Sequence, residues 1–153
     1  MNDKYAPLRL RNQLCFPLYA VSNIITRKYK PLLDKLDLTY TQYIVMMVLW
    51  EEQQVNEKYL CQALCLRSNT VAPLLKKLQA KGYIDKAKDS SDERNLVITL
   101  TKAGEELKDR ALCVPESIAG EFRLTLEEAM ELYRILYKML DQEREKNSEG
   151  KTG

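Results

Sequence analysis

Apolar side chains at Leu14, Leu18, Val21, Ile25, Tyr29 and Leu32 recur in steps of three and four, and this spacing over residues 8–33 predicts one long helix with one face turned inward. Pro17 interrupts it. Proline lacks the amide that would bond to the carbonyl of Gln13, so either the helix kinks there or its regular part begins near Pro17, which puts Cys15 at or near a helix start. Residues 43–50 are apolar almost throughout and follow Thr39, a cap candidate, so a short buried helix is expected. Asn56 is placed to cap the next helix, whose inner face holds Tyr59, Leu60, Ala63 and Leu64. Ser68 or Asn69 caps the one after, with Val71, Leu74, Leu75 and Leu78 inside and Thr70, Pro73, Lys76, Lys77 and Lys81 on its other faces. Gly82 ends that helix as a left-handed cap would. Two short helices with a tight connection, the second of them basic, make a helix-turn-helix arrangement. Residues 83–86 and 96–100 read as the strands of a hairpin whose tip, residues 88–95, is rich in Ser, Asp and Asn. Thr101 caps a further helix running toward Cys113, with a break expected at Pro115. Leu126, Met130, Tyr133, Leu136, Tyr137 and Leu140 mark a last helix over residues 125–144, and residues 146–153 are polar and expected to fray.

Composition narrows the function. With 153 residues and 45% hydrophobic content, the chain has the size and apolar supply of one domain. Four cysteines occur without a signal peptide or an 18-residue apolar run, which implies a cytoplasmic protein with reduced thiols and no membrane association. The absence of histidine removes a His base, a His metal ligand and any Ser-His or Cys-His nucleophile. No glycine-rich phosphate loop is present. Neither an enzyme nor a cofactor is therefore expected, and no metal. Cys61 and Cys65 stand at i and i+4, but two thiols without further ligands make a poor metal site and packing accounts for them. Charge is uneven: residues 67–102 carry eight Lys and Arg against four Asp and Glu, whereas residues 103–153 carry eight against twelve. A basic block between neutral and acidic ones points to a polyanion-facing surface, although a solvated charged face gives the same excess. The long first and last helices fall outside the helix-hairpin unit and need a partner surface, for which a second copy of the chain is the simplest candidate.

The helix order, the wing Asp92-Glu93-Arg94 followed by Leu96-Val97-Ile98-Thr99-Leu100-Thr101, and Gly104 after the wing resemble the MarR family of winged helix-turn-helix repressors. Within it, Leu14-Cys15-Phe16, Leu18-Tyr19-Ala20, Tyr29-Lys30-Pro31-Leu32-Leu33-Asp34-Lys35-Leu36, Leu38-Thr39-Tyr40 with Gln42-Tyr43, and Leu49-Trp50-Glu51 are similar to the organic hydroperoxide resistance regulators. The match spans roughly residues 8–115.

That resemblance implies a mainly α fold with a small β-hairpin over residues 1–153. About 38–101 would form the winged helix, and about 5–35 and 102–146 the dimerisation helices. Ser68, Asn69 and Thr70 would meet phosphates and base edges, with Pro73 on the same helix, and Lys76 and Lys77 would neutralise backbone charge. Arg94 would enter a minor groove with Asp92 orienting it, although simple helix capping by Ser68 or Asn69 and a surface pair of Asp92 with Arg94 are equally open. Cys15 matches the peroxide-sensing position. Tyr29 and Tyr40 match tyrosines that reach it from the other subunit, and Tyr19 lies one turn away. Oxidation would pass through a sulfenic acid to a disulfide. Cys113 is either the resolving thiol of the other subunit or a bystander. Pro17 departs from the pattern, where an ordinary helix former is expected. The implied function is a homodimeric repressor of palindromic double-stranded operator DNA, released when an organic hydroperoxide oxidises Cys15. The alternatives are release by a small aromatic or phenolic ligand and, as an enzymatic rival, a thiol peroxidase that turns over with a reductant.

Overall fold

In a computed structural model, which describes residues 3–91 and 96–149 (147–149 by backbone alone), the element at the centre of the core is α2 (Tyr40–Glu52). Its start is a reciprocal cap: Thr39 Oγ1 accepts the Gln42 amide at 3.3 Å and Gln42 Oε1 accepts the Thr39 amide at 3.1 Å. Val45, Met46 and Leu49 are wholly buried, with Tyr43 and Trp50 nearly so. A helix apolar all round belongs in the interior.

The helix before it, α1, is Cys15–Leu33, so of the two courses left open at Pro17 the regular helix begins there, with Cys15 at its start, and does not extend back to residue 8. Ala6–Leu8 and Leu10–Asn12 form short 3-10 turns instead, and the backbone is extended at Arg9 and Gln13. Pro17 is the third residue of α1, where amides have no partner within the helix, so it helps begin the helix and causes no kink. A 3-10 turn, Asp34–Leu36, and a left-handed Asp37 lead into α2.

Asn56 Oδ1 accepts the Tyr59 amide at 2.8 Å and so caps α3 (Glu57–Leu64). The next helix, α4 (Ser68–Ala80), corrects the expected cap: Arg67 is its N-cap, with no side-chain cap hydrogen bond. Ser68 Oγ is instead bonded to the Glu57 carboxylate at the start of α3. At the far end Gly82, at φ 77°, allows the Tyr83 amide to reach the Leu78 carbonyl at 3.1 Å. The strands are β2 (Ile84–Lys88) and β3 (Leu96–Leu100), and β3 pairs on its other edge with β1 (Gln54–Asn56), a third strand the hairpin expectation lacked. The antiparallel order is β1-β3-β2. Val55 of β1 and Lys86 of β2 both stand opposite Ile98, so buried Val55 and Ile98 close one side of the core.

Thr101 Oγ1 accepts the Gly104 amide at 3.1 Å and caps α5 (Lys102–Ala111). The break that follows falls at Leu112. Pro115 is the third residue of α6 (Cys113–Ala119), again where its missing amide costs nothing. Thr125 and Glu128 cap α7 (Leu126–Glu149) reciprocally, at 2.8 and 3.2 Å. Along α7, Leu126, Met130, Tyr133 and Tyr137 are exposed, as are Phe16 and Tyr19 of α1. No helix among the described residues is long and apolar enough to cross a membrane.

One contact locks α5 onto the core. Trp50 Nε1 donates to the Gly104 carbonyl at 2.9 Å, and a Cβ on Gly104 would lie 2.1 Å from the backbone oxygen of Tyr83. Gly104→Ala is expected to destabilise the protein by about 3 kcal/mol through this overpacking, read from urea unfolding midpoints.

Candidate nucleic-acid interface and thiol site

Three residues separate α3 from α4. Cys65 adopts the left-handed conformation at φ 53°, Leu66 returns its amide to the Cys61 carbonyl at 3.0 Å, and Arg67 is extended. Because the turn is this short and Ser68 is tied to Glu57, the direction of α4 is set by α3. Val71, Leu75 and Leu78 bury one face of α4, which leaves Asn69, Thr70, Pro73, Lys76 and Lys77 exposed on the others. Ser68 is exposed too, but its hydroxyl is engaged. Amides in the first turn of a helix lack intrahelical acceptors and carry the positive end of its dipole, so an exposed α4 start with Arg67, Lys76 and Lys77 suits an anionic partner. Arg67 was not among the expected contacts, although it stands inside the basic block. Lys81 turns inward: its ammonium pairs with Asp37 Oδ1 at 3.2 Å and donates to Gln42 Oε1 at 3.3 Å. Asp92 and Arg94 lie outside the described residues.

The residues expected around the thiol divide into two groups. Cys15, the first residue of α1, is exposed, and Tyr19, one turn on, is 69% exposed. Tyr29 and Tyr40 meet edge to face with ring centroids 4.9 Å apart. Tyr43, whose role the apolar run 43–50 concealed, stacks 5.9 Å from Tyr29 and 6.2 Å from Trp50. Burial raises the phenol pKa of all three tyrosines, and mutual repulsion of their phenolates adds to it at Tyr29 and Tyr43. Within one chain no hydrogen bond among the described residues joins Cys15 to Tyr19, Tyr29 or Tyr40. Cys113 is the first residue of α6; it is exposed and its thiol donates to the Arg110 carbonyl at 3.6 Å. It is near enough to Tyr43 for a thiolate there to push the Tyr43 phenol further up. Cys113 also lines an open cavity of about 370 Å³ with Leu32, Lys35, Leu36, Arg110, Val114 and Ser117. All four cysteines are reduced. Among the described residues no three Cys, Asp or Glu side chains gather as a metal ion would require.

Known proteins share this arrangement. Residues 27–111 match the family of SarA/Rot transcriptional regulators. The organic hydroperoxide resistance transcriptional regulator of Bacillus subtilis (strain 168) is 40% identical over 147 residues, covering 96% of this chain and all of that one. The chain belongs to the MarR family of winged helix-turn-helix regulators, as a relative of the organic hydroperoxide resistance regulators. AbfR of Staphylococcus epidermidis has been solved in several states. Its reduced form bound to DNA and its overoxidised form bound to DNA each superpose at a TM-score of 0.73 with 34% identity, over 92% of this chain and 98% of that one. Its disulfide form gives 0.57 at 34% identity, over 95% and 97%. This MarR-family chain is therefore a DNA-binding transcriptional regulator in which α3 and α4 form the helix-turn-helix and β2 and β3 the wing.

Raised tyrosine pKa values have a consequence at alkaline pH. Unfolded tyrosines ionise near pH 10, while Tyr29, Tyr40 and Tyr43 hold their protons longer when folded. Above that pH the unfolded state binds fewer protons, so stability present below it is lost as pH rises through the folded values. Urea unfolding between about pH 9 and 11 should show this decline, and Tyr40→Phe should make it shallower.

Proposed function

We propose that the protein is a homodimeric repressor that holds a two-fold operator through α4 and lets go when an organic hydroperoxide oxidises Cys15. The observation that carries this reading is the placement of Cys15. It is an exposed thiol in the first turn of a helix, with no side-chain hydrogen bond among the described residues of its own chain, below an apolar face that a second chain would cover. A second copy would cover Phe16 and Tyr19 of α1 and the stripe Leu126, Met130, Tyr133 and Tyr137 of α7, and would bring the Tyr29–Tyr40 pair of one chain to Cys15 of the other. The thiolate is the form of a cysteine that reacts with a peroxide. That thiolate attacks the hydroperoxide O–O bond, forming Cys15 sulfenic acid and releasing the alcohol. The partner's Cys113 then displaces water from the sulfenic sulfur to form a disulfide between subunits.

Relatives support the sequence of states. AbfR is described on DNA both when reduced and when overoxidised, and its disulfide form departs furthest from the shape of this chain. A disulfide, more than a change of charge at one sulfur, is thus the event assigned to release. The cavity beside Cys113 favours one second reading: its apolar wall with Lys35 and Arg110 fits a small aromatic carboxylate. Calorimetric titration of the reduced Cys15→Ser protein with benzoate-type ligands separates the two, because only the ligand reading gives binding linked to DNA release.

Gel shifts test the oxidation. Equimolar cumene hydroperoxide should weaken DNA binding of the wild type at least tenfold and yield a covalent dimer on non-reducing gels. Cys15→Ser in a Cys61→Ser/Cys65→Ser background should keep its DNA, and Cys113→Ser should give no covalent dimer; a wild type that stays on DNA after oxidation would refute the proposal. For the interface, replacing both Lys76 and Lys77 with Ala should lower the slope of log K against log salt by about 2 per protomer, with little effect on sequence preference.

A further inference from the structure

Two cysteines have no part in that mechanism, and both lie in the turn of the helix-turn-helix. Cys61 is half-buried in the last turn of α3, and Cys65 is exposed just past its end. Cys65 holds a left-handed backbone at φ 53°, a conformation that glycine or asparagine usually fills and that costs other residues about 1–2 kcal/mol. The Leu66 amide on the Cys61 carbonyl at 3.0 Å and the Cys65 amide on the Gln62 carbonyl at 3.3 Å fold the turn back over α3. A disulfide spans roughly 4.4–6.8 Å between Cα atoms; four residues of regular helix rise roughly 6 Å, and Cys65 follows α3 by one residue through a turn that folds back toward Cys61. A third group converges from far along the chain. Arg144 of α7, paired with Asp141 at 3.3 Å, donates Nη2 to the Ala63 carbonyl at 3.1 Å, and its guanidinium stands within hydrogen-bonding reach of the Cys65 sulfur. The thiolate is the form that attacks a peroxide oxygen, and Arg144 sets a positive charge and a donor beside it.

We propose that Cys61 and Cys65, with Arg144 beside them, are a second oxidation site: a dithiol at the α3–α4 turn that closes to a disulfide under peroxide and displaces the recognition helix. It shares with the proposed function only the class of oxidant, and it does not need Cys15. The Cys65 thiolate attacks the O–O bond of a hydroperoxide, forms an S–O bond and releases an alkoxide that takes a proton and leaves as the alcohol. The Cys61 thiol then attacks the sulfenic sulfur, forms the S–S bond and expels water with its own proton. Two thiols lose two electrons and the hydroperoxide is reduced to alcohol and water. Closing the bridge disturbs the Leu66-to-Cys61 hydrogen bond that directs the chain out of α3. Arg67, two residues past Cys65, is the N-cap of α4, so the disturbance passes straight to Ser68, Asn69 and Thr70.

Trypsin isolates the site, because residues 59–67, between Lys58 and the cut after Arg67, carry both sulfurs and no other cysteine. The full-length Cys15→Ser/Cys113→Ser protein is treated with cumene hydroperoxide, alkylated with iodoacetamide and digested. The expected peptide is two hydrogens lighter, with neither sulfur alkylated, and dithiothreitol restores it. The oxidised protein should bind a duplex that its reduced form retains at least fivefold more weakly. Arg144→Ala should slow the oxidation several-fold and Arg144→Lys, which keeps the charge, should recover most of the rate. Two alkylated sulfurs, a sulfinic acid at Cys65 with Cys61 still alkylated, or a bridged protein with unchanged DNA affinity each overturn the proposal. The wild-type digest reports on the same peptide, so the answer does not depend on how the double variant folds. DNA release with an unaltered 59–67 peptide leaves the Cys15 reading standing and removes this one; a bridged peptide with Cys15 inert does the reverse.

Discussion

Burial of the inner side chains of α2, Tyr43, Val45, Met46, Leu49 and Trp50, is the constraint from which the rest of the molecule follows. Leu33 at the end of α1, Leu36 of the 3-10 turn after it, Leu60 of α3, Val71, Leu75 and Leu78 of α4, Ile84 and Ile98 of the sheet and Leu107 of α5 all converge with them in one cluster. Each fully buried aliphatic side chain contributes about 2 kcal/mol, whereas exposed ion pairs such as Lys30–Asp34 contribute about 0–1 kcal/mol each. The apolar cluster therefore decides where the helices lie. α4 in particular has its inner face committed, so its polar face points outward as a matter of geometry.

Most of this was readable from the order of residues where the determining interaction is local. Thr39, Asn56 and Thr101 each cap a helix through a side-chain oxygen that reaches an amide three residues on, and Gly82 takes its left-handed turn on its own account. What was not readable depends on groups far apart in the chain. β1 is three residues long with one buried side chain, and it exists because β3 offers an edge. Ser68 looks like a cap until Glu57 takes its hydroxyl, and Lys81, expected on an outer face of its helix, turns inward to Asp37 and Gln42. The α1 stripe kept its period through Leu14, yet the backbone before Cys15 is extended at two points, so periodicity alone overstated the helix.

The candidate site shows the same division. Cys15 and the exposed face of α4 could be named from sequence, and so could Tyr29 with Tyr40, although only the structure shows their rings in contact. Tyr43 opens the apolar run 43–50 and was read from sequence as core, and its place between Tyr29 and Trp50 joins the tyrosine rings to that core. α1 runs into α2 through a 3-10 turn and residues 37–39, so the end of α1, with Leu33 buried, belongs to the same packed unit as α4.

The apolar face of α7 bears on something other than DNA. Leu126, Met130 and Tyr133 are more than half exposed in the single chain, and in the proposed dimer a second copy covering them would add stability by mass action. Survival of the folded protein then scales with its own abundance, because proteases and chaperones draw on whatever fraction is open. Scarce molecules would turn over quickly and plentiful ones would persist, which gives the cell a threshold on the amount of regulator separate from any signal the regulator detects.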